Sequence, residues 1–165
     1  MPSVLFTCTA NRFRSPLAAA IFRRALLDSR ESRNWRVASA GTWTKPGQPV
    51  ISHLQEVALS MGLDLAGHRS VQVSAQLLSA YDLVLVMEPG QKEALQIEFS
   101  SVRERIYLLS EVVEEQIYAI SDSFRSERDL AEAATMLRSL ILKGYRNICS
   151  LATSLHDMRI QNIEG

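Results

Sequence analysis

The chain has 165 residues, of which 47% are hydrophobic and 22% are charged, and its formal net charge at pH 7 is zero. This length predicts a single domain over residues 1–165, with a core that needs no disulfide or metal. Balanced charge gives no general attraction to nucleic acid or acidic membranes, so neither is an expected partner. The two cysteines, Cys8 and Cys149, lack metal-site spacing, and no apolar run reaches the roughly twenty residues that span a bilayer.

The amino-terminal half of the chain predicts two strands and two helices. An apolar strand runs from Val4 to Thr7, directly after residues without the features of a secretory signal. A helix follows from Ser15-Pro16, with Pro16 in its first turn. A second strand covers Trp35 to Ala40, and a second helix over Leu54 to Met61 stops at Gly62.

The remaining elements continue the same alternation. A third strand is predicted over Leu83 to Met87, a helix over Gln91 to Ile97 and a fourth strand over Ile106 to Leu109. Helical periodicity then runs from Leu130 to Leu155. Strands that alternate with helices predict an α/β fold, in which a parallel sheet is covered on both faces and ligands bind at the carboxyl ends of the strands.

The most informative segment follows the first strand and runs from Cys8 to Ser15. A loop that enters a helix presents backbone N–H groups to an anion, and an arginine such as Arg14 can hold two phosphate oxygens in a bidentate fork. The same positive environment favours the thiolate of Cys8. The segment therefore predicts a phosphate-binding loop that carries a cysteine nucleophile, which we expect to work in the reducing cytoplasm.

This segment resembles the signature of the low molecular weight protein tyrosine phosphatases, which is a Cys, five residues and then Arg-Ser-Pro. The similarity continues in family order through Ser39-Ala40-Gly41-Thr42, His68-Arg69-Ser70, the strand at Asp82 to Met87 and Ser121-Asp122-Ser123-Phe124. The resemblance implies a three-layer sandwich with a central four-stranded parallel sheet. It also implies hydrolysis of phosphate monoesters on proteins, most often on phosphotyrosine, with no metal or cofactor.

The resemblance implies three catalytic residues. Cys8 would attack the phosphorus and form a cysteinyl-phosphate, Arg14 would hold the equatorial oxygens, and Asp122 would protonate the leaving oxygen. The residues expected to bind phosphate are Thr9, Ala10, Asn11, Arg12, Phe13, Arg14 and Ser15. Ser15 has two interpretations, a helix N-cap and a hydroxyl donor to the Cys8 sulfur. Ser39 and His68, with Asn11, would support the loop from behind.

Several positions depart from the family pattern. Ala10 replaces a glycine, which would cost on the order of 1 kcal/mol if that backbone is left-handed. Arg12 stands where tyrosine phosphatases carry an aliphatic residue and arginine phosphatases a threonine. Its charge should repel phosphoarginine and favour an aryl ring or an acidic neighbourhood. Ser123 replaces a proline, which predicts a more mobile acid loop and lower turnover. Arg12, Trp43 and Phe124 are the predicted walls of the substrate cleft.

Alternative functions remain open from the sequence. A protein arginine phosphatase would use the same loop. A thioredoxin-coupled arsenate reductase would instead relay electrons through two further cysteines near the end of the third strand. The segment around Val86-Met87-Glu88-Pro89 contains no cysteine. A catalytically weak module that binds phosphate or phosphoproteins is a third alternative, although Cys8, Arg14 and Asp122 are all present. The expected partner is a phosphorylated protein, and the expected state is a monomer or a weak dimer.

Overall fold

A computed structural model describes residues 1–165, apart from the side chain of Ser32. It contains a four-stranded parallel sheet of β1 (Ser3–Cys8), β2 (Arg36–Gly41), β3 (Leu83–Val86) and β4 (Ile106–Leu108) in the order β2-β1-β3-β4. Every residue of β1 and β3 is buried, as expected for central parallel strands covered on both faces. The four predicted strands are confirmed, with ends that differ by at most one residue, and β1 extends through Cys8.

Six α-helices cover the sheet, and their bounds are α1 (Arg14–Asp28), α2 (Leu54–Ser60), α3 (Ala75–Ser79), α4 (Pro89–Glu98), α5 (Leu109–Glu114) and α6 (Glu127–Glu164). Helices α1, α2, α5 and α6 share one core with Phe6 of β1, whose ring centroid lies 5.7 Å from that of Phe22. The other face of the sheet packs against Leu78 of α3 and Leu95 of α4. The predicted three-layer α/β architecture is confirmed.

The main differences from the sequence prediction concern four helices. Short helices α3 and α5 were not predicted, and α6 is 38 residues long, so it extends past both ends of the predicted segment. Helix α1 begins at Arg14 with Phe13 as its N-cap residue, so the N-cap interpretation of Ser15 is wrong. Gly62 has a φ of 75° two residues after α2, which confirms the predicted helix stop.

Helices α5 and α6 approach each other closely at Gly144. A Cβ atom at this position would lie 2.2 Å from Cγ2 of Val113, so only glycine permits the contact. None of the helices in the described part of the chain is long and apolar enough to cross a membrane.

The amino ends of the strands are joined by a buried carboxylate, Asp82, which immediately precedes β3. Its Oδ2 accepts a hydrogen bond from Ser3 Oγ at 2.7 Å, and the Ser3 hydroxyl in turn accepts from the Asp82 backbone N–H at 2.9 Å. Helix α6 supplies two further partners, His156, whose Nδ1 lies 3.2 Å from Oδ2, and Arg159, which pairs with Oδ1. The Asp82 side chain is 3% exposed, so its charge is neutralised inside the protein.

Candidate active site

The segment from Cys8 to Ser15 forms a loop at the carboxyl edge of the sheet. Cys8 ends β1 and is 2% exposed, and it lies in a pocket of about 220 Å³. The pocket is lined by Cys8, Ala10, Arg12, Phe13, Arg14, Ile51, Asp122 and Phe124. The fold therefore brings the three predicted catalytic residues to one pocket, although Asp122 is more than one hundred positions from Cys8 in the chain.

The Cys8 sulfur faces the first turn of α1. Its Sγ lies 2.9 Å from the hydroxyl of Ser15, and that hydroxyl accepts a hydrogen bond from Asn11 Nδ2 at 2.8 Å. The single Ser15 proton has two acceptors, the Cys8 sulfur and the carbonyl oxygen of Ala40 at 3.3 Å, and its donation to the nearer sulfur would stabilise a thiolate. The positive end of α1 acts in the same direction and favours an anion here.

Asn11 is the buried centre of the support behind the loop. Its Nδ2 also donates to Ser39 Oγ at 2.9 Å, and its Oδ1 accepts from the backbone N–H of Val71 at 2.9 Å. Asn11 has a φ of 56°, a left-handed conformation that asparagine tolerates better than most residues. Ala10 does not have a positive φ, so the strain expected there is absent, and Asn11 occupies the left-handed position instead.

His68 supports the same residue from the other side. Its Nε2 lies 2.7 Å from the backbone carbonyl oxygen of Asn11. Burial lowers the pKa of His68, the hydrogen bond to Asn11 partly opposes this, and the positive charges of Arg23 and Arg69 lower the pKa further. A neutral imidazole that donates Nε2–H to the carbonyl satisfies both constraints. Ser39 and His68 therefore both reach the loop through Asn11.

Arg14 is 2% exposed and binds three groups around the pocket. Its Nη1 donates to Glu88 Oε1 at 2.6 Å and to the carbonyl oxygen of Ile120 at 2.7 Å, and its Nη2 lies 3.2 Å from Asp122 Oδ2. Glu88 and Asp122 are 37% and 51% exposed, so water can solvate both carboxylates. Nη1 of Arg14 is therefore fixed by two partners, whereas Nη2 contacts the exposed Asp122, which a ligand can replace.

Sequence reasoning did not identify Glu88 or Gln91, which the start of α4 brings to the loop. Gln91 Nε2 donates to Thr9 Oγ1 at 2.9 Å, while its Oε1 accepts from the backbone N–H groups of Met87 and Glu88. Their position in the sequence could have indicated them, because both residues follow β3 and the carboxyl ends of adjacent parallel strands meet at one edge of the sheet.

The walls of the pocket are aromatic, aliphatic and cationic. The rings of Phe13 and Phe124 meet edge to face, with centroids 5.3 Å apart. Arg12 is fixed by a 2.8 Å hydrogen bond from Nε to the carbonyl oxygen of Pro49. Ile51, which was not predicted, completes the wall, whereas Trp43 is 85% exposed and does not line the pocket. Trp43 reaches the loop only through its backbone N–H, which donates to the carbonyl oxygen of Thr9.

Comparisons with known proteins point in one direction. The model of the family described as low molecular weight phosphotyrosine protein phosphatase matches residues 3–151. The protein-arginine-phosphatase of Bacillus subtilis (strain 168) is 30% identical over 127 residues, which are 77% of this chain and 83% of the relative. The probable low molecular weight protein-tyrosine-phosphatase EpsP of Ralstonia nicotianae is 30% identical over 132 residues, or 80% and 85% of the two chains.

Solved structures give the same result. The YwlE arginine phosphatase from Geobacillus stearothermophilus has a TM-score of 0.77 and 26% identity, and the match covers 98% of this chain and 97% of that one. Wzb of Vibrio vulnificus in complex with benzylphosphonate has a TM-score of 0.76 and 27% identity, with coverage of 88% and 97%. The predicted resemblance is confirmed over nearly the whole chain. The chain therefore belongs to the low molecular weight phosphotyrosine protein phosphatase family and is a cysteine-dependent protein phosphatase.

Proposed function

We propose that this protein hydrolyses phosphotyrosine in protein substrates. The observation that carries the proposal is the wall of the pocket above Cys8, where the cationic Arg12 stands beside Phe13, Phe124 and Ile51. An aryl ring can stack on a guanidinium and pack against these apolar groups, whereas the cationic guanidinium portion of a phosphoarginine side chain is repelled by Arg12. The buried position of Cys8 also suits a long, flat side chain, because the phosphorus must descend into the pocket to reach the sulfur.

Two displacements on phosphorus would complete the reaction. In the first, the Cys8 thiolate forms an S–P bond while the P–O bond to the phenol breaks, and Asp122 gives its proton to the departing oxygen. In the second, water attacks the cysteinyl-phosphate and its proton passes to the Asp122 carboxylate. The P–S bond then breaks, which releases inorganic phosphate and restores the thiolate.

Arg14 and the loop amides would stabilise the phosphoryl group during both steps. Nη1 of Arg14 is anchored by Glu88 and the carbonyl oxygen of Ile120, so the guanidinium plane is oriented before substrate arrives. The contact of Nη2 with Asp122 can be exchanged for a phosphate oxygen. Once a phosphate oxygen takes this place, the Asp122 carboxyl is released from Arg14 and becomes available as the general acid.

Sequence identity does not separate the two substrates, because relatives named as arginine and as tyrosine phosphatases have the same identity to this chain. The proposed choice of substrate therefore rests on Arg12. Wzb binds benzylphosphonate, which joins a ring to a phosphonate as phosphotyrosine joins a ring to a phosphate. Arsenate reduction by a thiol relay is less well supported, because the chain has two cysteines and burial raises the pKa of Cys149 to about 11. We also propose a single catalytic domain, monomeric or weakly dimeric, in a reducing cytoplasm that keeps Cys8 in its reduced form.

Hydrolysis of para-nitrophenyl phosphate tests the chemistry. Cys8→Ser should abolish turnover, whereas Cys149→Ser, the matched control in α6, should leave it unchanged. Asp122→Asn should lower kcat by roughly 10²-fold or more, because general acid catalysis contributes that much. The control is Asp157→Asn, which alters an exposed aspartate of α6. Wild-type protein that binds phosphate without any turnover would support a binding module instead.

Phosphopeptides test the substrate. Wild-type protein should hydrolyse a phosphotyrosine peptide at least roughly tenfold faster than the matched phosphoarginine or phosphoserine peptide, which corresponds to about 1.4 kcal/mol of discrimination. Arg12→Thr should reduce the ratio of phosphotyrosine to phosphoarginine hydrolysis, because it removes the repelling charge. A ratio that is indifferent to Arg12→Thr contradicts the substrate assignment while leaving the phosphatase chemistry intact.

A further inference from the structure

A second groove adjoins the catalytic pocket and is not used by the reaction itself. It has a volume of about 480 Å³ and is lined by Arg12, Ile51, Ser52, His53, Phe124, Arg125, Ser126, Glu127 and Leu130. Three of these residues, Arg12, Ile51 and Phe124, also line the pocket above Cys8. The two spaces therefore share one wall, and a peptide whose phosphorylated residue enters the pocket can place its neighbouring residues in the groove.

The charges of the groove are unbalanced. Arg12 donates through Nε to Pro49, which leaves both terminal amino groups of its guanidinium without a partner among the described side chains. Arg125 is exposed, and it takes part in no ion pair in the described part of the chain. The lining contains one carboxylate, Glu127, and this is already paired with His53 Nε2 at 3.1 Å. The groove thus presents two guanidinium groups to solvent with no acidic partner of their own.

The remaining lining residues make the groove suitable for a peptide. Ile51, Phe124 and Leu130 form its apolar part, and Leu130 is buried where α6 begins. An extended chain advances about 3.3 Å per residue, so the side chains one to three positions from the phosphotyrosine lie within about 10 Å of it, on the scale of a groove that shares a wall with the pocket. Guanidinium groups bind carboxylates with bidentate geometry, and their weak hydration makes this pairing favourable at a surface.

We propose that this groove is a specificity subsite in which Arg12 and Arg125 bind an acidic side chain close to the phosphotyrosine of a protein substrate. The inference rests on the proposed phosphotyrosine phosphatase function and adds the class of sequence that the enzyme prefers. Arg12 contacts both spaces, whereas Arg125 lines only the groove, so Arg125 separates sequence recognition from chemistry.

Two phosphotyrosine peptides test the subsite, one with glutamate at the positions flanking the phosphotyrosine and one with glutamine. Wild-type protein should hydrolyse the acidic peptide with a kcat/KM roughly 3- to 10-fold above that of the neutral peptide, the size expected for one or two exposed ion pairs. Arg125→Gln should reduce this ratio towards one. The reduction should arise through KM on the acidic peptide, while para-nitrophenyl phosphate turnover remains unchanged.

The control variant is Arg128→Gln, because Arg128 lies in the first turn of α6, pairs with Glu132 and does not line the groove. It should leave the preference intact. Arg125→Glu should reverse the preference, so that a peptide with lysine at the flanking positions becomes the better substrate. High salt should weaken the wild-type preference, because exposed ion pairs are screened.

The outcomes distinguish this inference from the proposed function. Equal kcat/KM for the acidic and neutral peptides in wild-type protein overturns the subsite, and so does an Arg125→Gln variant that keeps the full preference. A uniform loss of activity on both peptides and on para-nitrophenyl phosphate also overturns it, since Arg125 would then act on the chemistry or on the fold. If wild-type protein hydrolyses no aryl phosphate at all, the proposed function itself fails.

Discussion

The two edges of the sheet each contain a buried charge, but the charges have opposite signs and different partners. At the carboxyl edge the buried group is the cation Arg14, and its carboxylate partners, Glu88 and Asp122, are partly exposed. At the amino edge the buried group is the anion Asp82, whose partners Ser3 and Arg159 come from β1 and α6. Arg14 can therefore exchange a partner for a ligand, whereas the partners of Asp82 are fixed within the fold.

The difference explains how one small sheet combines stability with a reactive site. A buried charge that loses an internal partner destabilises the protein strongly unless water or another ion replaces that partner. At the Arg14 edge the pocket admits such a replacement, and the proposed reaction depends on it. At the Asp82 edge the carboxylate is 3% exposed, and its partners belong to β1 and α6 of the fold itself. We accordingly expect substitutions at the first edge to affect mainly activity and substitutions at the second to affect mainly stability.

Arg14→Met should have the largest effect. Turnover of para-nitrophenyl phosphate should fall by roughly 10³-fold or more, because the proposed role of the guanidinium is to stabilise charge on the transferring phosphoryl group. The free energy of unfolding should change by no more than about 1 kcal/mol, since Glu88 and Asp122 can be solvated. Urea denaturation and steady-state kinetics measure the two quantities. A large loss of stability would remove the contrast between the two edges.

Arg159→Met should give the opposite result. Asp82 would keep Ser3 and His156 but lose its cationic partner, so the free energy of unfolding should fall by about 1–3 kcal/mol. Turnover at a temperature where the protein is folded should stay within about twofold, because Arg159 is remote from the reaction. Arg146→Met, which alters an exposed arginine of α6, is the matched control and should change neither quantity.

Acid should lower the free energy of unfolding, and part of this loss should come from protonation of Asp82 at the amino edge. Burial alone raises the pKa of this carboxyl, but the hydrogen bond from Ser3 and the hydrogen bond and charge of Arg159, with His156, together hold the pKa below its ordinary value. The stabilisation is therefore present above the unfolded-state pKa of about 4 and is lost as the pH falls through the lower folded-state pKa. Urea midpoints between pH 7 and pH 3 should show this loss in wild-type protein, and Asp82→Asn should show a smaller dependence on pH.

Ala10→Gly should have the smallest effect, and it tests whether the loop at the carboxyl edge is strained at position 10. The left-handed residue of the loop is Asn11 rather than Ala10, so a glycine at position 10 relieves no strain. Turnover should change by less than about twofold, and stability should fall by no more than about 1 kcal/mol from added backbone freedom. A clear gain in turnover would indicate that the loop is strained at Ala10 after all.

The sequence predicted those features that depend on short segments. The apolar runs that became β1 and β3, the stop at Gly62 and the loop from Cys8 to Arg14 are all local patterns. Asp122 entered through the family resemblance, because no local pattern distinguishes it from other loop aspartates. Helices α3 and α5 were missed because, at five and six residues, they are too short to show a period.

Residues that act through distant contacts could not be predicted. Glu88 meets Arg14 across 74 positions and Gln91 meets Thr9 across 82, and neither contact has a signature in either segment. Ser15 looked like an N-cap because serine before proline and apolar residues is typical of a helix start. Its hydroxyl instead faces the Cys8 sulfur, since the helix already begins at Arg14. Trp43 contacts the catalytic loop through its backbone N–H, which donates to Thr9, and its side chain is exposed.

The position of α6, which carries Arg159 and follows the proposed catalytic residues in the sequence, also has a consequence for synthesis of the chain. All the residues proposed to do the chemistry lie between positions 8 and 122, so a ribosome completes them well before it reaches Arg159. A nascent chain of this length still lacks α6, which supplies eight buried residues, from Leu130 to Leu155. Because such a chain exposes the apolar surface that α6 covers, we expect catalytic competence to appear only late, when the last turns of the helix have left the ribosome.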